Sequence, residues 1–252
     1  MPSPLAGPTI FRTIRDWWRQ GIARDGFGRT LRTFVAGAWG FLRDSTPEQR
    51  RRRYGDMEYD WEHRVDTTSA TVSWRDRLLG VFHSPYQPTE PALFHEMLAS
   101  LNISYEDFAF IDLGSGKGRT LLMASEYPFR RIVGVELLPE LNRVANNNLQ
   151  NYRSDSQKCK HLEARCGDAA QFRFPAEPIV LYLFNPLPPA RLGQVMRNLE
   201  RSVEENPRPV FIIYHNPLLD EVVQRTRFRK AGGTHQYSIY QAGNTRSSRA
   251  QP

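Results

Sequence analysis

Cysteine is scarce in this chain, and no apolar run is long enough to cross a bilayer. Cys159 and Cys166 are its two cysteines, too few for a disulfide framework or a four-cysteine zinc site, so a reducing compartment is expected. The longest apolar run near the N-terminus, residues 34–42, is much shorter than the roughly 20 residues of a membrane-spanning helix. The N-terminus also lacks the charged-then-apolar order of a secretory signal. We therefore predict a cytoplasmic protein with no transmembrane segment and no metal site.

The positive charge is concentrated at one end of the chain. The formal net charge is +7, and residues 1–53 hold eleven arginines against four acidic residues, so the remainder is neutral overall. Apolar side chains recur at helical spacing in residues 11–18 and 27–42, which predicts two amphipathic helices. These helices either pack on the rest of the protein, which we favour, or make a peripheral contact with a membrane. The same pattern is compatible with an organelle transit peptide. Nucleic-acid binding is not expected, because the arginine run at residues 50–53 follows a helix-capping sequence and fits a solvated turn.

The length of the chain suits one α/β domain with an extension. We predict a basic amphipathic helical extension at residues 1–53 and a connector at residues 54–83. The catalytic domain is expected at residues 84–242, followed by a disordered tail at residues 243–252.

A glycine-rich turn marks the centre of the predicted catalytic domain. An apolar strand pattern runs to Asp112 and Leu113, and Gly114, Gly116 and Gly118 follow at alternate positions. Glycine lacks a Cβ, so its backbone can adopt positive φ and approach a ligand closely. The spacing differs from the phosphate-binding G-x-x-x-x-G-K-[ST] loop and from the dinucleotide-binding G-x-G-x-x-G loop. What remains is an acidic residue followed by G-x-G-x-G.

This segment, Asp-Leu-Gly-Ser-Gly-Lys-Gly at residues 112–118, resembles the first motif of the class I S-adenosylmethionine-dependent methyltransferases. Glu136 lies 20 residues after Gly116, at the end of the next predicted strand, where a carboxylate commonly binds the ribose hydroxyls. The resemblance implies that Asp112 holds the methionine end of S-adenosylmethionine and that Asp168 and Ala169 contact its adenine. The full set of predicted cofactor-binding residues is Tyr86, Thr89, Asp112, Gly114, Ser115, Gly116, Gly118, Glu136, Asp168, Ala169 and Asn185.

The resemblance also implies the fold class, α/β with a Rossmann-like, mostly parallel sheet of seven strands. Apolar runs at residues 131–136, 161–166, 178–184 and 209–214 fit buried parallel strands. Two later runs, at residues 228–231 and 237–241, are joined so closely by a turn at Gly232 and Gly233 that they predict an antiparallel edge hairpin.

The predicted acceptor side lies after the fourth strand, at Asn185-Pro186-Leu187-Pro188. In the resembled family the residue at this place faces the methyl group, so we predict that Asn185 is catalytic and orients a nitrogen acceptor. The aromatic residue that stacks on planar acceptors in [ND]-P-P-[YF] is missing here, which argues against nucleobase or glutamine acceptors. The loop at residues 112–119 is similar to that of seven-strand protein lysine methyltransferases, so a protein lysine and a small molecule are the open choices. His215 is either a general base at the mouth of the site or, as we favour, a packed histidine.

Two other functional classes are compatible with parts of the sequence. One is a nicotinamide-dependent oxidoreductase, which the glycine spacing disfavours. The other is a membrane- or partner-binding adaptor with a vestigial methyltransferase domain, which the presence of Asp112, Glu136 and Asp168 disfavours.

Overall fold

The structure is a computed structural model that describes residue 28 and residues 57–68, 88–184 and 187–242. Contacts divide the chain into two units, residues 1–55 with 71–85, and residues 56–70 with 86–252. The helices and strands given below all belong to the second unit. The predicted extension apart from residue 28, most of the connector, Tyr86, Asn185 and the predicted tail lie outside the described residues.

The described residues form one sheet with helices on both faces. The strands are β1 (Ala109–Leu113), β2 (Arg131–Glu136), β3 (Leu162–Cys166), β4 (Ile179–Phe184), β5 (Val210–His215), β6 (Arg229–Gly233) and β7 (Tyr237–Ala242). The α-helices are α1 (Met57–His63), α2 (Pro91–Ala99), α3 (Arg119–Ala124), α4 (Pro139–Asn151), α5 (Pro189–Glu205) and α6 (Asp220–Gln224), and short 3₁₀ helices lie at Tyr105–Asp107 and Ala169–Gln171.

The strand order confirms the predicted fold class. The seven described strands are arranged β3-β2-β1-β4-β5-β7-β6. The first five are parallel to one another, whereas β7 is antiparallel to both β5 and β6. The antiparallel hairpin therefore stands at one edge of the sheet, as its short connection predicts.

The central strands are apolar in nearly every position because both faces of the sheet are covered. On one face, Phe110 and Tyr182 pack with Phe94 of α2. On the other, Ile111 and Leu181 belong to a cluster that includes α5. Successive residues of a strand point to opposite faces, so each central strand contributes to both clusters.

Three boundaries differ from the sequence prediction. Gly232 and Gly233 lie within β6 rather than in the hairpin turn, which follows at Thr234, whose N–H donates to the carbonyl of Tyr237. Gly233 has φ +126°, and an added Cβ would stand 2.3 Å from the Tyr237 carbonyl oxygen. His215 is the last residue of β5, not part of the following loop. Helix α2 ends at Ala99, whereas the apolar spacing of Phe94, Met97, Leu98 and Leu101 in the sequence predicts a helix through Leu101.

Within the described residues, no helix has the length and apolar character needed to cross a membrane.

Candidate active site

The candidate site lies where β1, β2, β4 and β5 end. These four strands are parallel neighbours, so their carboxyl ends meet at one edge of the sheet, and open α/β sheets bind ligands at that edge. Asp112, Glu136, Phe184 and His215 stand at or next to these ends.

The glycine loop between β1 and α3 has the backbone that the sequence predicts. Gly114, Gly116 and Gly118 adopt φ of 94°, 53° and 82°, a region that L-residues with a Cβ rarely occupy. The backbone N–H groups of Gly114 and Ser115 both donate to the carbonyl of Val135, at 2.8 and 3.1 Å. The loop is thereby fixed against the end of β2.

Gly134, in β2, allows this close approach and was not foreseen from the sequence. A Cβ there would lie 2.6 Å from both Leu121 Cδ1 and Ser115 Oγ. Ser115 itself is buried, and its hydroxyl has no hydrogen-bond partner in the part of the chain that the structure describes. A buried hydroxyl without a partner is costly, so its position in the loop fits a group that a bound molecule would complete.

Glu136 connects the end of β2 to the loop. Its Oε2 accepts from Gly116 N–H at 2.9 Å and its Oε1 accepts from Leu138 N–H at 2.8 Å. Burial, with 8% of the residue exposed, raises the pKa of Glu136, although these backbone hydrogen bonds oppose the rise. A carboxylate has about four acceptor positions, and a further backbone hydrogen bond comes from Leu137, so at least one position is left for a ribose hydroxyl.

Asp112 is buried beside Glu136 at the end of β1. Thr120 of α3 donates its hydroxyl to Oδ2. Burial raises the pKa of Asp112 to about 7; the Thr120 hydrogen bond lowers the pKa, and the charge of Glu136 raises it. Such a carboxyl would ionise fully when a cation approaches, which fits the ammonium group at the methionine end of S-adenosylmethionine.

Asp168 is fixed by its neighbours just after β3. Its Oδ1 accepts from Ala170 N–H at 2.9 Å, which caps the 3₁₀ helix at Ala169–Gln171, and its Oδ2 pairs with Arg191 Nη1 at 2.6 Å. Burial alone would raise the pKa of Asp168, but these two contacts outweigh burial and the pKa lies below its usual range. The Arg191 contact could not be read from the sequence, because Arg191 is 23 residues away in α5.

A strap formed by residues 57–68 lies against the outside of the glycine loop. Lys117 is buried, and its Nζ pairs with Asp66 Oδ1 at 2.6 Å. Asn148 of α4 joins the same partners: its Nδ2 donates to the carbonyls of Asp66 and Lys117, and its Oδ1 accepts from Asp66 N–H, each at 2.9 Å. Within the strap, Asp60 accepts hydrogen bonds from the backbone and hydroxyl groups of Thr67 and Thr68.

The strap also covers the first residue of α3. The Arg119 guanidinium lies 4.5 Å from the centre of the Tyr59 ring, a cation–π arrangement. The sequence prediction had missed Asn148, although a signal existed. Asn148 follows Leu141 and Ala145 at helical spacing on the buried face of α4 and is 3% exposed, which is unusual for an amide unless it is hydrogen-bonded.

The predicted acceptor side, at the ends of β4 and β5, holds a second group of polar side chains. Thr89 is buried, and its Oγ1 lies 2.8 Å from the Tyr182 hydroxyl, which lies 2.8 Å from His215 Nδ1. The His215 ring stacks on Phe184 with 3.9 Å between centroids. Burial lowers the pKa of His215 to about 4, so the ring is neutral at physiological pH. From the sequence, Thr89 is either a site residue or the cap of the following helix. The second alternative is wrong, because Glu90 occupies the cap position of α2 and no side chain caps the helix.

No cluster of metal-binding side chains occurs among the described residues.

Parts of the chain are similar to known proteins. Residues 82–171 match the family model for the histone methylation protein DOT1. No curated protein matches the chain in sequence. Similar solved structures include an RNA methyltransferase from Salinibacter ruber with S-adenosyl-L-homocysteine, at 22% identity, 62% coverage of this chain, 92% of that chain and a TM-score of 0.40. Another is precorrin-6y C5,15-methyltransferase from Geobacter metallireducens, at 15% identity, 64% and 92% coverage and a TM-score of 0.46.

The family match spans the loop, Glu136 and Asp168, and thus most of the predicted cofactor side. The antiparallel edge of the sheet separates this fold from the dinucleotide-binding folds that the glycine loop alone resembles. The nicotinamide-dependent alternative therefore loses its support. The described residues therefore have the fold of the class I S-adenosylmethionine-dependent methyltransferases, and residues 82–171 match a methylation-protein family.

Proposed function

We propose that the enzyme methylates a nitrogen atom, and that this nitrogen is the side-chain amine of a protein lysine. The match of residues 82–171 to the histone methylation protein DOT1 carries the proposal. The sequence Asp-Leu-Gly-Ser-Gly-Lys-Gly-Arg at residues 112–119 supports it, because it is similar to the loop of seven-strand protein lysine methyltransferases. A small-molecule amine is the second candidate acceptor, since it would react by the same chemistry.

The residues of the cofactor side fit S-adenosylmethionine. Glu136 keeps at least one acceptor position for a ribose hydroxyl, and Asp112 offers a buried carboxyl to the methionine ammonium. Asp168 and Ala169 would contact the adenine, while the backbone of the glycine loop and the Ser115 hydroxyl shape the pocket. Thr89 and Tyr86 would border the methionine end, and Asn185 would face the methyl group.

Methyl transfer requires alignment more than activation. S-adenosylmethionine supplies a methyl group on a sulfonium, which is already a good leaving group. The acceptor nitrogen uses its lone pair to form a bond to the methyl carbon while the carbon–sulfur bond breaks and its electron pair stays on sulfur. The chain holds the two reactants in line and excludes water. Asn185 would accept a hydrogen bond from the acceptor N–H and so direct the lone pair.

A lysine acceptor must first lose a proton to the solvent. At neutral pH this costs about 4–5 kcal/mol for an amine of unperturbed pKa ≈ 10.4. An apolar surrounding lowers the pKa of an amine because it disfavours the charged form. Phe184 and Leu187, both partly buried at the end of β4, provide such a surrounding.

The proposal is tested by labelling. Full-length protein is incubated with tritiated S-adenosylmethionine and heat-treated lysate, and the lysate is separated into protein, nucleic-acid and small-molecule fractions. We expect the label in protein, and methylated lysine after acid hydrolysis. Label confined to nucleic acid or to small molecules would overturn the lysine assignment. The Gly116→Val protein serves as the control without cofactor binding.

A further inference from the structure

Thr89, Tyr182 and His215 form a hydrogen-bonded chain whose direction can be deduced. Tyr182 stands between the other two, with contacts of 2.8 Å on each side. Neither Thr89 nor Tyr182 makes another hydrogen bond in the part of the chain that the structure describes. Each hydroxyl has one proton to donate, and a neutral imidazole has one protonated nitrogen.

Only one arrangement uses both hydroxyl protons. In it, Thr89 donates to the Tyr182 oxygen and Tyr182 donates to His215 Nδ1. In the reverse arrangement Nδ1–H donates to Tyr182 and Tyr182 donates to Thr89, so the proton of the buried Thr89 hydroxyl has no acceptor among the residues that the structure describes. An unsatisfied buried donor is disfavoured. His215 therefore carries its proton on Nε2.

The Nε2 atom is the open end of this chain. It has no hydrogen-bond partner among the described residues, and it is not one of the side-chain atoms that are buried without a partner. It therefore retains access from outside, consistent with the 8% of His215 that is exposed. The ring cannot turn freely, because Tyr182 holds Nδ1 and Phe184 covers one face.

The position of His215 separates it from the cofactor residues. In the sheet order, β2 and β1 carry Glu136 and Asp112, whereas β4 and then β5 lie on the other side of β1. His215 ends β5 and is directly paired with Phe184, the last residue of β4. The open N–H thus stands on the acceptor side, beside the residue that precedes Asn185.

We propose that His215 binds the methyl acceptor, and that its Nε2–H donates a hydrogen bond to a carbonyl oxygen of that acceptor. For the lysine acceptor of the proposed function, on which this inference rests, the carbonyl belongs to the peptide main chain. The donor must engage an atom other than the nucleophilic nitrogen, because a hydrogen bond to that lone pair would block its attack on the methyl carbon.

Neutrality makes His215 suited to this position. Burial raises the pKa of Tyr182 well above its usual range, although its hydrogen bond with Thr89 lowers it, so Tyr182 stays protonated and can donate to His215. An uncharged imidazole donates a hydrogen bond without repelling a lysine ammonium as it approaches. A histidine with the ordinary pKa would be partly protonated at neutral pH.

The first experiment measures the tautomer. Full-length protein, labelled with ¹⁵N at histidine and saturated with S-adenosyl-L-homocysteine, is examined by long-range ¹H–¹⁵N correlation, and the His215 signals are assigned by their loss in His215→Gln. We expect the Nε2–H form in the wild type and a mixture of both tautomers in Tyr182→Phe. An Nδ1–H form in the wild type would overturn the inference.

The second experiment compares acceptor use. His215→Leu removes the donor, His215→Gln restores an N–H group, and His235→Leu, at an exposed histidine of the hairpin turn, is the control. We expect His215→Leu to need at least about tenfold more lysate protein for half-maximal tritium transfer, with partial rescue in His215→Gln. The dissociation constant for S-adenosyl-L-homocysteine should stay within about twofold in all variants. Equal lysate dependence in His215→Leu and wild type would overturn the inference.

The two proposals fail in different ways. Label in the small-molecule fraction contradicts the lysine acceptor, and the same His215 variants titrated with that fraction then decide the role of His215. If the wild type labels no fraction, the tautomer measurement still decides whether His215 carries the Nε2–H group that the inference requires.

Discussion

The proposed cofactor side and the proposed acceptor side of the site are formed by different kinds of groups. On the cofactor side, glycines at positive φ and backbone N–H groups define the shape, and the acids Asp112 and Glu136 are buried among them. On the acceptor side, the aromatic side chains Phe184, Tyr182 and His215 define the surface, and their polar atoms are neutral. A cofactor of constant structure can be bound by backbone groups, whose conformation here requires glycines that tolerate few substitutions. An acceptor that differs between enzymes is bound by side chains, which can change without disturbing the fold.

The largest expected effect comes from the cofactor backbone. Gly116→Val places a β-branched side chain at φ 53°, a conformation that is costly even for unbranched L-residues. We expect binding of S-adenosyl-L-homocysteine to fall at least about a hundredfold by calorimetry, while circular dichroism shows a folded protein. Gly232→Val is the control, since no atom lies within 4 Å of its added Cβ. Unchanged affinity in folded Gly116→Val would contradict the role of the loop.

Next in size is the loss of the Glu136 carboxylate. A hydrogen bond to a charged group contributes roughly 1.5–3 kcal/mol, so Glu136→Ala should raise the dissociation constant of S-adenosyl-L-homocysteine about ten- to a hundredfold. Glu140→Ala, at an exposed position of α4, should leave it unchanged. A Glu136→Ala protein with wild-type affinity would mean that the ribose lies elsewhere.

The lowered pKa of His215 should affect how the free energy of unfolding depends on pH. The pKa of His215 is lowered to about 4 in the folded protein, against about 6.5 when unfolded. The contribution of the neutral His215 ring to the free energy of unfolding is therefore complete above pH 6.5 and is lost as the pH falls towards 4. The loss amounts to about 2 kcal/mol between pH 7 and pH 5. The raised pKa of Asp112, about 7, acts in the opposite direction, since it favours the folded state at low pH.

Comparing two proteins isolates the His215 contribution. The difference in free energy of unfolding between wild type and His215→Phe, measured with urea at several pH values, should shift in favour of the variant as the pH falls from 7 to 5. A difference that is independent of pH would show that His215 titrates normally in the folded protein.

A smaller effect is expected from Asn148, which supports the cofactor loop from outside. Asn148→Ala removes three hydrogen bonds, and each contributes roughly 0.5–1.5 kcal/mol. We expect a loss of about 1.5 kcal/mol in unfolding free energy and faster amide exchange in residues 57–68. Asn147→Ala, at an exposed position beside it, should change neither. Unaltered exchange in Asn148→Ala would show that the strap is held without it.

The smallest effect concerns Asn185. Asn185→Ala should lower the maximal rate of methyl transfer by about tenfold, because the acceptor nitrogen loses an orienting partner. The dissociation constant for S-adenosyl-L-homocysteine should remain close to that of the wild type. Weaker cofactor binding with an unchanged maximal rate would instead assign Asn185 to the cofactor side.

The sequence predicts those features of the site that depend on nearby residues. Positive φ at the three loop glycines and the antiparallel edge hairpin follow from local patterns, and the structure has both. The proximity of Glu136 to Gly116 follows from the strand–loop–strand order of the fold. Tyr182 was read only as part of a buried strand, because its partner Thr89 is 93 residues away. Gly134 was likewise read as strand, because the clash that a Cβ would cause arises from Leu121 and Ser115.

The strap has a consequence for the order in which the newly made protein acquires its structure. Asn148 ties together Asp66, made 82 residues earlier, and Lys117, made 31 residues earlier. During synthesis the N-terminal part of a domain emerges first, and the domain generally folds as a unit. The glycine loop and the strap therefore emerge first and must wait for α4 before their shared hydrogen bonds can form. S-adenosylmethionine would therefore meet a finished binding loop only after more than half of the chain has been translated.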